Sequence, residues 1–241
     1  MMDLEKILTE SDYALQPIVE CSTGKTFGFE LLLRHNEPDF SIANFFDEAF
    51  KNEILHRIDL VLREKALEKI RQIPFYRNMI FFYNIDNRIL TDREYESGKT
   101  EIMIENAGML NRNLCFEISE KHEIKKANYH KIFSNYKNRS FLIALDDYGS
   151  GFSGMKNLYN FEPDFIKIDR FLITNIFDDP KKRLFVTSLV DMSHKMSIKV
   201  IAEGIEKELE LLACQECGCD FVQGYYIQRP TLDISELKLQ Y

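Results

Sequence analysis

From Asn78 onward the chain alternates short apolar runs with amphipathic segments, and this alternation narrows the available folds more than any other feature. The runs are Asn78–Ile85, Asn113–Ser119, Phe141–Leu145, Phe165–Ile168, Ile198–Ala202 and Asp220–Gln223. Helical spacing of apolar residues marks Thr100–Leu110, Glu123–Tyr136, Ser153–Asn160, Arg170–Phe177, Lys181–Met196 and Glu206–Cys217. Strands separated by such helices build parallel βα units. Ahead of them, Ala14–Val19 and Thr26–Leu33 flank a Ser22-Thr-Gly24 turn and read as a hairpin, followed by helices at Ile42–Phe50 and Asn52–Ile70. The hairpin and the later runs together supply eight strands. The pattern favours an α/β chain closed as a TIM-like (β/α)8 barrel with an antiparallel first strand over a doubly wound open sheet, and shows no domain boundary within residues 1–241.

A 45% hydrophobic content supplies the core such a barrel needs. The net charge of −8 argues against a partner held by general attraction to phosphates, such as double-stranded nucleic acid. No signal peptide and no apolar run long enough to span a membrane is present, so the expected location is cytoplasmic. Of the five cysteines, Cys21 and Cys115 are isolated in the sequence at strand or strand-edge positions, where a small buried apolar residue is ordinary. Cys214, Cys217 and Cys219 lie close in sequence but lack the second paired motif of a structural zinc knot.

The chemistry is expected where the apolar runs stop. Glu30 interrupts the second strand; Asn84, Glu117, the Asp146–Asp147 pair, Lys167 with Asp169, Glu203 and Gln223 end the later ones. In a βα barrel these ends converge on one face. Two adjacent carboxylates after Phe141-Leu-Ile-Ala-Leu145 need a cation to offset their repulsion. Glu30, Asn84, Glu117 and Asp146 offer only oxygen, which suits Mg2+ or Mn2+ rather than zinc, and the five histidines show no paired ligand spacing. With Asp147 and Glu203 there are more carboxylates than one magnesium uses, and Asp146 can bridge two ions in the manner of phosphodiester hydrolysis. Lys167 supplies a point charge for a phosphoryl oxygen or for water. From these residues alone, an enolase-like magnesium barrel acting on a carboxylate substrate stays open.

The motifs themselves resemble those of the EAL-domain family of cyclic di-GMP phosphodiesterases, over about residues 15–230. They are Glu30-Leu31-Leu32-Leu33-Arg34, Phe116-Glu117-Ile118-Ser119-Glu120, Asp146-Asp147-Tyr148-Gly149-Ser150-Gly151, Ile166-Lys167-Ile168-Asp169, Ala202-Glu203-Gly204-Ile205-Glu206 and Phe221-Val222-Gln223-Gly224-Tyr225. The resemblance implies hydrolysis of one phosphodiester bond of cyclic di-GMP to linear pGpG. It implies one metal on Glu30, Asn84, Glu117 and Asp146, and a second on Asp146 and Asp147 with Glu203. It further implies that Lys167 meets the water or phosphate, that Glu203 is a candidate base, and that Glu206 lies near the metal water network. Gln16, Arg34 and Gln223 match ligand contacts, Glu120 would brace the Asp147 loop through Ser150, and a homodimer is expected. Leu31, Tyr148, Ser150, Leu15 and Ile85-Asp86-Asn87 depart from the usual pattern. The alternative within the family is a module that binds cyclic di-GMP or a protein partner without turnover.

Overall fold

Eight strands close into one barrel in sequence order: β1 Ser11–Glu20, β2 Thr26–His35, β3 Ile80–Asn84, β4 Leu114–Ile118, β5 Leu142–Tyr148, β6 Phe165–Ile168, β7 Lys199–Ala202 and β8 Phe221–Val222. The structure is a computed structural model and describes residues 4–37, 39–91, 98–119, 136–149 and 154–241. β1 pairs antiparallel with both β2 and β8, placing Gln16 opposite Glu30 and Val19 opposite Val222, while β2 to β8 run parallel. The expected hairpin and antiparallel first strand are therefore both present. Gly28 is required for this pairing, since a Cβ there would lie 2.2 Å from the Ile80 carbonyl oxygen.

Inside the barrel, Ile18, Phe82, Cys115, Ala144, Phe165, Ile201 and Phe221 form an apolar plug. Phe27 closes it from below, stacked on Phe221 with ring centroids 4.0 Å apart. A second, larger apolar layer joins the outer faces of the strands to the helices. Helix 42–51 starts at Ser41, whose hydroxyl accepts from the Asn44 amide at 3.2 Å, and helix 180–195 starts at Asp179 with Pro180 in its first turn.

The structure corrects several expected boundaries. The helix read as Arg170–Phe177 stops at Ile173, because Asn175 turns left-handed at φ 57° and Glu210, buried, accepts its amide at 2.9 Å. β5 continues past Leu145 to Tyr148. Most of the helix read as Glu123–Tyr136 lies outside the described residues. Cys21 sits buried and unbridged at the edge of β1, as expected; its amide donates to the Asp220 carbonyl at 2.9 Å, and burial with the neighbouring Cys214, Asp220 and Cys217 pushes its thiol up to about 12. Among the described residues no helix is long and apolar enough to cross a membrane.

A carboxylate cluster above the barrel plug

Side chains of a strand alternate faces, so the next inward position above each plug residue is two residues on, roughly 6–7 Å nearer the open end. Above Phe82, Cys115, Ala144, Phe165, Ile201 and Phe221 these positions are Asn84, Glu117, Asp146, Lys167, Glu203 and Gln223. On β1, which runs the other way, the step goes back from Ile18 to Gln16, and on β2 it goes from Gly28 to Glu30. One period-two rule thus lifts these eight polar residues into a single layer.

Lys167 is the centre of that layer. Only 1% of it is exposed, and its Nζ lies 2.6 Å from Glu117, 2.7 Å from Glu203, 3.1 Å from Asp146 and 3.3 Å from Glu30. Glu30 also accepts from Asn84 Nδ2 at 3.0 Å and from Gln223 Nε2 at 2.6 Å. Burial alone would push Glu30 up, but Lys167 and these amides outweigh it and hold the carboxyl below its ordinary value. Glu117, buried and beside Glu30, goes well above, and its Oε2 meets no hydrogen-bond donor. Burial pushes Glu203 up to about 8. For Lys167 burial favours the neutral amine, yet the four carboxylates prevail and its pKa lies well above the usual lysine value.

A regular strand would send Asp146 and Asp147 to opposite faces. The β5–β6 register shifts between Leu145 and Tyr148, and Asp147 adopts φ 54°. This bulge brings one oxygen each of Asp146, Asp147 and Glu203 within 4.8 Å of one another. A left-handed non-glycine residue costs about 1 kcal/mol, less for Asp than for most. At that spacing two ionised carboxylates repel by about 3–4 kcal/mol at an effective dielectric of 20, which a proton on Glu203 or a cation in the cluster offsets. An all-oxygen donor set that includes a buried carboxylate oxygen without a donor fits a hard divalent ion such as Mg2+ or Mn2+.

The remaining expected site residues divide. Gln223 Nε2 donates to Gln16 Oε1 at 3.1 Å, and Gln16 Nε2 donates to the Gln228 carbonyl at 3.1 Å. Gln228 was not foreseen, since only the return of the chain past β1 brings it there. Arg34 and Asn84 line a 230 Å³ groove beside the cluster. Glu206 is exposed and pairs with Arg170 at 2.8 Å, so its carboxylate is engaged away from Lys167. Asp169 is a helix cap, accepting the Phe171 amide at 2.9 Å. Glu120 and Ser150 lie outside the described residues.

The proton-holding carboxyls set a pH dependence for the protein kept in chelator. Glu203 and Glu117 have folded pKa values above the unfolded carboxylate range of roughly 4.3. Their contribution is full below that value and is lost as pH rises through about 8. Glu30 acts in the opposite sense only at the acid end. The urea midpoint in chelator should therefore be lower at pH 8.5 than at pH 6; a flat or rising midpoint contradicts the shifts.

The sequence profile of the EAL domain matches residues 6–230. An uncharacterized signaling protein of Caulobacter vibrioides is 30% identical over 227 residues, covering 89% of this chain and 27% of the relative. PdeI of Escherichia coli, a probable cyclic di-GMP phosphodiesterase, is 29% identical, covering 89% and 28%. The chain thus spans under a third of the length of these relatives. Among solved structures, the EAL enzyme Bd1971 with cAMP and cyclic di-GMP bound superposes with a TM-score of 0.84 at 29% identity, over 94% of this chain and 63% of that one. The manganese and cyclic di-GMP complex of Klebsiella pneumoniae BlrP1 at pH 6 gives 0.80 at 28%, over 90% and 55%. With its profile match spanning nearly every residue of the barrel, this chain belongs to the EAL domain family.

Proposed function

We propose that the chain, as a single barrel over residues 1–241, is a metal-dependent phosphodiesterase that hydrolyses one phosphodiester bond of cyclic di-GMP to linear pGpG. The observation that carries this reading is the convergence of Glu30, Glu117, Asp146 and Glu203 on Lys167, with Asp147 turned into the same cluster by the β5 bulge. The names of PdeI and the ligands of Bd1971 and BlrP1 support the choice of substrate.

Glu30, Asn84, Glu117 and Asp146 would hold one ion, and Asp146, Asp147 and Glu203 a second. A pair of divalent ions there would acidify water and offset the charge that develops on the phosphate. Lys167 keeps its proton at neutral pH, because four carboxylates surround it, so it acts as a donor to a phosphoryl oxygen or to the attacking water and not as a base. Glu203, whose carboxylate lies 2.7 Å from Lys167 Nζ, is the candidate base for the attacking water. Gln16, Gln223 and Arg34 orient the ligand above this layer, and Glu206 holds Arg170 across Gly204, beside Glu203. Exposed Met155, Tyr159, Phe171 and Leu184 support assembly as a homodimer.

Purified protein with Mg2+ or Mn2+ should convert cyclic di-GMP to the linear dinucleotide, followed by chromatography. Calcium should permit binding but slow turnover, because its longer, looser coordination misplaces the reacting groups. Binding without product in all three metals would instead assign the chain as a receptor; equal rates in calcium and magnesium would contradict the two-ion mechanism.

A further inference from the structure

Strand β3 delivers Asn84 to the cluster and then enters a loop, Ile85-Asp86-Asn87-Arg88, that is tied on two sides. Toward β4, the Ile85 amide donates to the Glu117 carbonyl at 3.1 Å and Asn87 Nδ2 donates to the Ser119 carbonyl at 3.2 Å. Toward helix 42–51, Arg88 forms a clamp. Its Nε and Nη2 donate to Asp86 at 3.0 and 2.6 Å, its Nη1 donates to Asp47 at 2.7 Å, and its guanidinium lies 4.8 Å from the Phe50 ring centroid. Asp86 and Arg88 are largely buried.

Ile42 and Phe46, four residues apart, put one face of the same helix against the groove. Leu31, Tyr83, Arg34 and Asn84 are among its other lining residues, so a largely apolar slot carries a cation and an amide, which suits a planar heterocycle with polar edges. Phe46 and Phe50 are again four residues apart, and the guanidinium that grips Phe50 and Asp47 fixes the turn next to the groove wall.

We propose that Arg88, oriented by Asp86 and joined to Asp47, is a positioning residue that holds helix 42–51 as the wall of this groove and thereby sets affinity for the base-bearing end of the substrate. The proposal rests on the functional reading above, since it needs a nucleotide ligand. Among the described contacts, those of Arg88 reach Asp86, Asp47 and Phe50 and not the carboxylate cluster or the groove lining, so its loss displaces a wall and leaves the reacting groups in place.

The test compares wild type with Arg88→Met, Arg88→Lys, Asp47→Asn and the Arg88→Met/Asp47→Asn double variant. With cyclic di-GMP and Mn2+, Arg88→Met should raise KM about tenfold with kcat within about twofold. Arg88→Lys should fall between, because lysine cannot make the bidentate contact. Asp47→Asn should raise KM several-fold, and the double variant should be no worse than Arg88→Met, as expected for partners in one contact. Hydrogen exchange should speed up in residues 42–51 of Arg88→Met and stay unchanged in the β-strands, which a general loss of stability would not produce. Unchanged KM and unchanged exchange in Arg88→Met, beside an active wild type, overturn the proposal alone. A wild type that neither binds nor hydrolyses cyclic di-GMP overturns the functional reading, and the affinity role with it.

Discussion

Replacing Asp146 with asparagine is expected to cut cyclic di-GMP turnover about a thousandfold, the equivalent of about 4 kcal/mol of transition-state stabilisation, while the barrel stays folded. The substitution keeps the shape of the side chain and removes the charge of the residue proposed above to serve both ions. Asp146 meets Lys167 at 3.1 Å and shares a 4.8 Å group with Asp147 and Glu203. Because it takes one anion out of a crowded set, the variant in chelator should unfold at the same urea concentration as wild type or a higher one. Mass spectrometry under native conditions should show fewer bound Mn2+ ions. Wild-type turnover in Asp146→Asn would remove the basis for a shared ligand.

Lys167→Met has the opposite signature. The ammonium is the only cation in contact with Glu30, Glu117, Asp146 and Glu203 among the described residues, and removing one member of a buried ionic set costs about 3–5 kcal/mol. For a chain of this size that lowers Tm by roughly 10 °C in chelator. The deficit should shrink at acidic pH, where the carboxyls are protonated, and on adding Mg2+, which supplies the missing positive charge. Calorimetry with and without metal reads both effects. A chelated variant as stable as wild type would show that the lysine does not hold the cluster together, and turnover should fall in either case.

How much of this is written in the sequence depends on the range of the contact. The site layer was legible because it follows from a local rule: Phe82 to Asn84, Cys115 to Glu117 and Phe165 to Lys167 are each one two-residue step on a strand. The bulge that turns Asp147 toward Asp146 was not, since an aspartate before a glycine-rich turn carries no mark of its left-handed backbone until β6 fixes the register. The break after Ile173 depended on Glu210, a helix away, accepting the Asn175 amide. Cys21 meets Cys214 and Cys217 only because β1 closes against β8. Arg88 and Asp47 belong to separate elements, and their pairing followed from the packing of helix 42–51 on the β3 loop, although Asp86 already stood out as an unusual residue after Asn84.

The backbone at Asp147 restricts what evolution or an engineer can place there. A residue held at φ 54° admits glycine, asparagine and aspartate far more readily than the rest. The cluster, for its part, asks for a carboxylate, and only aspartate satisfies both demands. Glutamate, the substitution usually regarded as mild, keeps the charge but is less easily accommodated by the turn, and its longer arm moves the oxygens. Asparagine and glycine fit the turn and lose the charge. Position 147 is therefore intolerant for two unrelated reasons, and a library randomised there should return a single functional letter.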